Sequence, residues 1–203
     1  MTGGLILAAG GSSRFGAPKQ LAEFDGRPLI DHAVAAMLAV PAIDRVVVTL
    51  GANAARIADE AQLENVEIVE VPDWEEGIAA SLRAGVMRLE SCDSVVITLA
   101  DQPFVTAELI ATVLGSAGDS APAARATYGG KPGHPVVIAS DLFAAVGDLR
   151  GDDGARDLLE EAGCRHVEVE TAAASFDIDT RDDLETARRE SAGAGKERDE
   201  ARA

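Results

Sequence analysis

The stretch GLILAAGGSSRFGAPKQL, residues 4–21, is an apolar run that leads directly into a loop of small, hydroxyl-bearing and cationic residues. Residues 4–8 have the continuous apolar character of a strand that is buried on both faces. In the loop, the small residues 9–11 let the backbone approach a ligand closely, and their N–H groups can form a concave anion site. Arg14 offers a planar fork to phosphate oxygens, and Lys19 offers a compact point charge. The stretch predicts a strand followed by an anion-binding loop; the alternative is a plain glycine-rich turn with two solvated cations.

Short β-branched runs alternate with helical patterns along the rest of the chain, and this alternation predicts the fold class. Near-continuous apolar runs such as 46–48 and 95–97 indicate a mostly parallel central sheet that is covered on both faces. We therefore predict a single Rossmann-like, three-layer α/β domain over residues 1–190, followed by a disordered charged tail over 191–203. Predicted strands cover residues 4–8, 45–50, 66–71, 94–99, 123–128, 135–138 and 166–170, and predicted helices cover 28–38, 52–62, 78–89, 107–114, 141–145, 154–162 and 181–189.

The charge balance limits the classes of ligand. The chain has 203 residues, of which 35 are acidic and 18 are Lys or Arg, for a net charge of −17. This balance argues against nucleic acid and anionic membranes as partners, because both need a basic footprint. Residues 1–50, however, carry four cations and four acids and are neutral. With no secretory signal and no apolar run of about 18 residues, we expect a cytoplasmic protein.

An acidic residue follows the strand predicted at 94–99. Ligands of parallel sheets bind outside the carboxyl ends of the strands, so the loop that begins with Asp101-Gln102-Pro103 is a candidate site. Mg²⁺ on a triphosphate takes one or two carboxylates together with phosphate oxygens. Asp101 is therefore a candidate metal ligand; the alternative is a loop residue that caps the next helix.

Two common nucleotide motifs are absent from the chain. Gly11 and Gly16 have the glycine spacing of a P-loop, but Ala17-Pro18 follows where Lys-Ser/Thr is required. No GxGxxG sequence occurs, so the usual dinucleotide fingerprint is missing. Instead, residues 7–21 match Leu-Ala-Ala-Gly-x-Ser-x-Arg-x-Gly-x-x-Lys-x-Leu, which resembles the signature of nucleotidyltransferases that activate small molecules with an NTP. The Ala-Ala-Gly version resembles the molybdopterin cytidylyltransferase branch of the molybdenum-cofactor nucleotidyltransferase family.

This resemblance implies a nucleotide-diphospho-sugar transferase type of fold and a set of residue roles. Lys19 is expected to stabilise charge at the α-phosphate and Arg14 to hold the leaving pyrophosphate. Asp101 matches a metal-binding Gly-Asp-x-Pro turn, with Ala100 in place of Gly, and completes the expected catalytic set. Asp101 and Asp179 are expected to hold Mg²⁺. The expected nucleotide- and substrate-binding residues are Leu7, Ala8, Ala9, Gly10, Gly11, Ser12, Arg14, Lys19, Gly77, Ser81 and His134.

For the second metal ligand, the sequence offers two candidates, Asp177 and Asp179. Residues 176–180, Phe-Asp-Ile-Asp-Thr, resemble a late Asp-Ile-Asp-Thr motif of the family. Asp177 and Asp179, at i and i+2 of a strand, would face the same side and could both point at one cation. We favour Asp179, while an acidic turn that caps the following helix is the alternative. Ser81, in a Gly-x-x-x-Ser-Leu match at 77–82, is expected at the base or ribose, and Trp74 is expected to pack rather than to stack.

Two further segments resemble the acceptor side of the molybdopterin enzymes. Gly133-His134-Pro135 lies in a second glycine-rich, cationic loop at residues 129–135, beside Lys131. Residues 151–156, Gly-Asp-Asp-Gly-Ala-Arg, resemble a Gly-Asp-x-Gly-Ala-Arg segment. A lone histidine is usually structural and an acidic turn is usually solvated, so both segments also have ordinary structural explanations.

The sequence therefore predicts a Mg²⁺-dependent nucleotidyltransferase that joins an NTP, preferably CTP, to a molybdopterin-type phosphate acceptor and releases pyrophosphate. A sugar- or polyol-phosphate is the alternative acceptor. From a different class, proteins that resemble this family include NAD(P)H-dependent oxidoreductases acting on a small heteroaromatic substrate, and an inactive nucleotide sensor or chaperone is a third hypothesis. We expect a monomer, with a molybdoenzyme as a partner.

Overall fold

The computed structural model describes residues 1–118, 121–151 and 154–200. The strands in these ranges are β1 (Thr2–Leu7), β2 (Glu23–Phe24), β3 (Arg27–Pro28), β4 (Arg45–Leu50), β5 (Glu67–Glu70), β6 (Ser94–Leu99), β7 (Ala123–Tyr128), β8 (Lys131–Ala139) and β9 (Arg165–Glu168). The helices are α1 (Leu29–Leu38), α2 (Ala54–Glu60), α3 (Ile78–Arg88), α4 (Ala107–Leu114), α5 (Phe143–Gly147), α6 (Gly154–Glu161) and α7 (Arg181–Glu200).

The strands other than β2 and β3 form one sheet in the order β5-β4-β1-β6-β8-β7-β9. Neighbours from β5 to β6 are parallel, as are β7 and β9, whereas β8 is antiparallel to both β6 and β7. The mostly parallel sheet predicted from the sequence is confirmed. In this order β1 and β6 are adjacent and end together, with Leu7 opposite Leu99. The loops that follow these two strands therefore meet at one edge of the sheet.

Alternation along the central strands builds a core on each face of the sheet. Ile6 packs in one buried cluster with residues of α1, α2 and α4. Its neighbour Leu5 packs in the other cluster with residues of α3, α5 and α6. Both side chains are fully buried. The three layers that the sequence predicted are present, and the sheet lies between two sets of helices.

The predicted start of β8 is wrong, and so is the strand expected at residues 177–179. The glycine-rich segment at 129–135 is a turn only at Gly129 and Gly130, where φ is 57° and 75°. From Lys131 onward the chain belongs to β8, because Tyr128 pairs with Lys131 in a hairpin. Residues 177–179 are not a strand, although the sequence analysis placed one there.

The carboxyl-terminal end also differs from the expectation. Helix α7 continues to Glu200, where a disordered tail from residue 191 was expected. Six of the ten residues 191–200 are Ala, Glu, Arg or Lys, which are strong helix formers, so a helix is compatible with the charge of this segment although it contains two glycines. None of the helices among the described residues is long and apolar enough to cross a membrane.

Gly85 offers a test of the packing between α3 and β1. A Cβ atom at Gly85 would lie 2.3 Å from Cδ1 of the fully buried Leu5. We therefore expect Gly85→Ala to lower the free energy of unfolding by about 1–3 kcal/mol, because overpacking outweighs the better helix propensity of Ala. Gly193, in α7, has no atom within 4 Å of such a Cβ, and Gly193→Ala should leave that free energy unchanged or slightly higher. Urea unfolding of both variants measures the difference, and an equal response would show that α3 and β1 are not closely packed there.

Candidate active site

A cavity of about 350 Å³ opens at the carboxyl ends of β1 and β6, and we call it the main cavity. Its lining combines the first loop, the turn before α3 and the turn after β6. Helix α3 begins at this cavity, so its N-terminal dipole favours an anionic ligand there. The lining residues are Leu7, Ala8, Ala9, Gly10, Lys19, Gln20, Trp74, Glu75, Gly77, Ile78, Ser81, Leu99, Ala100 and Asp101.

Four charged side chains that the sequence singled out meet beside the main cavity. The Lys19 Nζ atom lies 2.5 Å from Oδ2 of Asp101 and 2.8 Å from Oδ1 of Asp179. Arg14 Nη2 lies 2.9 Å from the other oxygen of Asp179, Oδ2. These four residues, which we call the charge cluster, contain two cations and two carboxylates and are neutral as a unit.

The cluster is unequally buried, and this affects what each member can do. The Lys19 side chain is 15% exposed, whereas that of Arg14 is 69% exposed. Burial alone lowers the pKa of Lys19, but the charges and hydrogen bonds of Asp101 and Asp179 outweigh it and hold that pKa above its ordinary value. Asp101 Oδ1 is buried and has no hydrogen-bond partner in the described part of the chain. A buried carboxylate oxygen without a partner is costly, so Asp101 is suited to bind a further cation.

Gln20 holds the first loop in shape, and the sequence analysis did not identify this role. Its side-chain amide, on a residue only 3% exposed, donates to the carbonyl oxygens of Ala8 at 2.7 Å and Gly10 at 3.0 Å. Ser12 donates to the Gln20 Oε1 atom and accepts a hydrogen bond from the backbone N–H of Lys19. The backbone at the mouth of the cavity is therefore fixed without a ligand. In the sequence, the available sign of this role is that a polar residue stands between Lys19 and the apolar Leu21.

Trp74 explains why small residues are required on two sides of the cavity. A Cβ atom at Gly11 would lie 2.8 Å from the Trp74 ring, and one at Gly51 would lie 2.5 Å from the Ala9 carbonyl oxygen and 2.6 Å from Trp74 Cβ. Trp74 packs against a small buried cluster that includes Ala80. It also lines the main cavity, so the expectation that Trp74 packs describes only part of its position.

The two late aspartates have different surroundings. Asp179 belongs to the charge cluster, while Asp177 accepts a hydrogen bond from Gln102 Nε2 at 2.7 Å. Burial raises the pKa of Asp177 above its ordinary value. Thr180 and Asp183 cap α7 reciprocally: Asp183 Oδ2 accepts from the Thr180 N–H at 2.7 Å, and Thr180 Oγ1 accepts from the Asp183 N–H. The expectation that Asp177 and Asp179 could both point at one cation through a shared strand face does not hold, because these residues are not in a strand.

Two further cavities adjoin the main cavity, and we call them the side cavities. The first, of about 170 Å³, shares Leu7 and Ile78 with the main cavity, and the second, of about 380 Å³, shares Leu99 with it. Arg125 and His134 line both side cavities. The other polar residues that line the side cavities are Gln102, Tyr128, Lys131, Arg156, Ser175 and Asp177.

The imidazole of His134 is uncharged, although charged residues line the same side cavities. Burial, together with the nearby charge of Arg125, lowers the pKa of His134 to about 4, so its imidazole is neutral at pH 7. Tyr128 donates a hydrogen bond to the His134 carbonyl oxygen at 2.6 Å, and burial raises the pKa of its phenol to about 12. His134 thus offers hydrogen bonds rather than charge to a ligand.

The predicted residues are divided among these cavities. The main cavity contains Leu7, Ala8, Ala9, Gly10, Lys19, Gly77, Ser81 and Asp101. Gly11, Ser12 and Arg14 lie on the surrounding loop, and His134 lies in the side cavities instead of the main one. Asp152 and Asp153, from the predicted Gly-Asp-x-Gly-Ala-Arg match, fall outside the described residues. Arg125 was not predicted at all; a single cation in an apolar strand was its only signal.

Comparison with known proteins places this geometry among nucleotidyltransferases. Residues 4–169 match the model of a family described as the MobA-like NTP transferase domain. A nicotine blue oxidoreductase of Paenarthrobacter nicotinovorans is 35% identical over 78% of this chain and 81% of its own length. The molybdenum cofactor cytidylyltransferase of Escherichia coli K12 is 25% identical over 91% of this chain and 94% of its own.

Solved structures give a consistent match. The crystal structure of Rv0371c from Mycobacterium tuberculosis H37Rv superposes with a TM-score of 0.83 at 28% identity, covering 93% of this chain and 97% of that one. A complex of Rv0371c with manganese superposes with a TM-score of 0.78 at 24% identity, over 93% and 98% of the two chains.

The half-buried imidazole of His134 predicts a specific acid sensitivity. Its pKa is about 4 in the folded protein against 6.5 ordinarily, so protonation favours the unfolded chain. Stability from this group is complete above pH 6.5 and is lost as the pH falls toward 4, by on the order of 2 kcal/mol at pH 4.5. We expect His134→Gln to lose less free energy of unfolding than the unmodified protein between pH 6.5 and 4.5. Urea unfolding across this range measures it, and parallel curves for the two proteins would contradict the neutral, half-buried histidine.

Proposed function

Because the chain belongs to the MobA-like NTP transferase family, we propose that it transfers the nucleotidyl group of an NTP, preferably CTP, to the phosphate of a molybdopterin-type acceptor, with Mg²⁺ as cofactor. The observation that carries this proposal is the meeting of Arg14, Lys19, Asp101 and Asp179 at the mouth of the main cavity. Such a set suits transfer at phosphorus, which needs positioned charges and no protein nucleophile.

The charge cluster fits a divalent cation. Asp101 and Asp179 already hold one cation, the ammonium of Lys19, and Asp101 keeps a buried Oδ1 atom without a partner. These two carboxylates would hold Mg²⁺, which neutralises charge on a triphosphate. The manganese complex of Rv0371c supports a metal in a protein of this fold.

Each residue of the cluster has a distinct part in the proposed reaction. An acceptor oxygen attacks the α-phosphorus of the NTP, the bond to the bridging oxygen breaks, and pyrophosphate leaves with the electron pair. Lys19 uses two of its three N–H donors on the carboxylates and has a third for an α-phosphate oxygen. The exposed Arg14 can leave Asp179 at little cost and bind the pyrophosphate.

The base and the acceptor are proposed on separate grounds. CTP is favoured because the E. coli relative is a cytidylyltransferase, and Ser81, which lines the main cavity, is proposed to contact the base or ribose. The acceptor is proposed to bind in the side cavities, where His134 and Tyr128 supply polar contacts. A sugar- or polyol-phosphate is the alternative acceptor for the same cavities.

A second candidate function is a reductase. It is favoured by the 35% identical relative, which is an oxidoreductase. The main cavity accepts a nucleotide in either reaction, and a dinucleotide could extend from it into the adjoining side cavities. The two functions differ in their need for metal, because hydride transfer from a nicotinamide does not use Mg²⁺.

A thermal-shift panel separates the two functions. CTP, GTP, ATP, UTP, NADH and NADPH are each added with and without Mg²⁺. We expect the largest rise in Tm with CTP, and only when Mg²⁺ is present. A rise with NADPH alone, independent of Mg²⁺, would remove the transferase proposal in favour of the reductase.

We expect Asp101→Asn to remove the Mg²⁺-dependent part of the CTP shift and to lower pyrophosphate release by roughly 10²–10³, as does loss of other positioned transition-state charges. The matched control is Asp177→Asn, which changes the neighbouring carboxylate that bonds Gln102 and lies outside the charge cluster. Asp177→Asn should keep the Mg²⁺-dependent shift. Far-UV circular dichroism of both variants checks the fold, and a Mg²⁺ response lost in Asp177→Asn but kept in Asp101→Asn would reverse the assignment of the metal ligands.

A further inference from the structure

Arg125 is a half-buried cation of the sheet that has no counter-ion among the described residues. It lies in β7, whose other residues are Ala123, Ala124, Ala126, Thr127 and Tyr128, all buried. Its Nε atom is buried without a hydrogen-bond partner in the described ranges, and its Nη2 atom makes one long contact, 3.4 Å from the Gly133 carbonyl oxygen. No carboxylate among the described residues forms an ion pair with it.

This arrangement is expensive unless something else binds the guanidinium. An arginine stays protonated in proteins, so burial leaves a full charge in a poorly solvated place. Burial lowers the pKa of Arg125 and the nearby charge of Arg156 lowers it further, whereas Cys164 and Glu160 oppose this only through coulombic interaction, without a hydrogen bond. The described part of the chain therefore gives Arg125 no counter-ion.

The position of Arg125 indicates what that partner is. Its side chain lines both side cavities, together with His134, and these cavities adjoin the main cavity through Leu7, Ile78 and Leu99. The lining of the side cavities adds the cations Lys131 and Arg156, against one acid, Asp177. A molecule in these cavities contacts a lining with a net positive charge. Arg125, the most buried of the three cations, has an Nε–H group without a hydrogen-bond partner among the described residues.

We propose that Arg125 binds an oxyanion of the acceptor, so that the side cavities select small molecules that carry a phosphate or carboxylate group. The planar guanidinium suits two oxygens of such a group, and its unpaired Nε–H supplies a donor that the fold leaves unused. Asp177, which lines one of the side cavities, repels the anion and so orients the acceptor. This inference depends on the proposed function only in taking the bound molecule to be the acceptor. The anion site itself depends on Arg125 alone.

The first test combines stability and anion binding in Arg125→Met. Methionine keeps the length of the side chain and suits the apolar neighbours Leu7, Ile97 and Val136. If Arg125 is kept for a ligand, its removal should leave the urea midpoint equal or higher. Affinity for inorganic phosphate, measured by isothermal titration calorimetry, should fall by roughly 10- to 100-fold, the range expected for a charge-assisted hydrogen bond. A lower midpoint with unchanged phosphate affinity would show that Arg125 is structural and overturn the inference.

Two controls separate this inference from the proposed function. Arg45→Met removes a half-buried arginine that pairs with Glu67 far from all three cavities, and it should not change phosphate affinity. Titration with Mg²⁺ and CTP should give the same affinity for Arg125→Met as for the unmodified protein; a parallel loss of phosphate and CTP affinity would contradict a separate anion site. If CTP does not bind the unmodified protein, the transferase proposal fails while the phosphate comparison still tests Arg125.

The same titration with malonate distinguishes the kind of oxyanion. A fall confined to phosphate supports a phosphorylated acceptor, and a similar fall with malonate supports recognition of either group. Arg125→Lys, which keeps the charge but loses the planar fork, should recover only part of the phosphate affinity. Recovery of the full affinity by lysine would contradict the two-oxygen contact.

Discussion

The ammonium group of Lys19 joins three segments that are far apart in the chain, and the geometry of the main cavity depends on this contact. Its partner Asp101 lies 82 residues away in sequence and its partner Asp179 lies 160 residues away. A half-buried charge without its partner would be costly, so the pairing fixes the first loop, the turn after β6 and the segment before α7 relative to one another. The Ile178 N–H, which donates to the Asp101 carbonyl oxygen at 3.0 Å, ties the last two segments through the backbone as well.

Contacts within the first loop and contacts with other segments both fix its conformation. Gln20 bonds two loop carbonyl oxygens, and Phe15 packs against Phe24 and Ile178 in a separate buried cluster. The loop therefore does not need a ligand to take its shape, and binding does not have to supply the entropy cost of ordering it. In the proposed reaction this preorganisation matters because the positioned charges, rather than a nucleophile, provide the acceleration.

How much of this molecule was predictable depends on whether the cause is local. Strands β4 and β6 have their predicted bounds, because a run of apolar and β-branched residues indicates burial directly; β7 also has its predicted bounds, although Thr127 is its single β-branched residue. The start of β8 was missed, because pairing with β7 holds Lys131 and the residues after it extended despite nearby glycine and proline. Among site residues, Lys19 and Asp101 belong to recognised motifs, whereas no local sequence pattern identifies the roles of Gln20 and Arg125. Arg125 was visible only as a misfit in an apolar strand, and such misfits are where a functional constraint overrides packing.

The charge of the whole chain is opposite in sign to that of the side cavities. At −17 the protein repels anions at long range, but beyond about 10 Å this repulsion is screened at ordinary ionic strength. Inside, the charge cluster is neutral, and the described lining of the side cavities has three cations, Lys131, Arg125 and Arg156, against the single acid Asp177. A polyanion would have to lie along the acidic surface to reach the cavities, whereas one small anion need only enter them. The composition that argues against nucleic acid is thus compatible with a small phosphorylated ligand, because selection is made by the few charges that the ligand can touch.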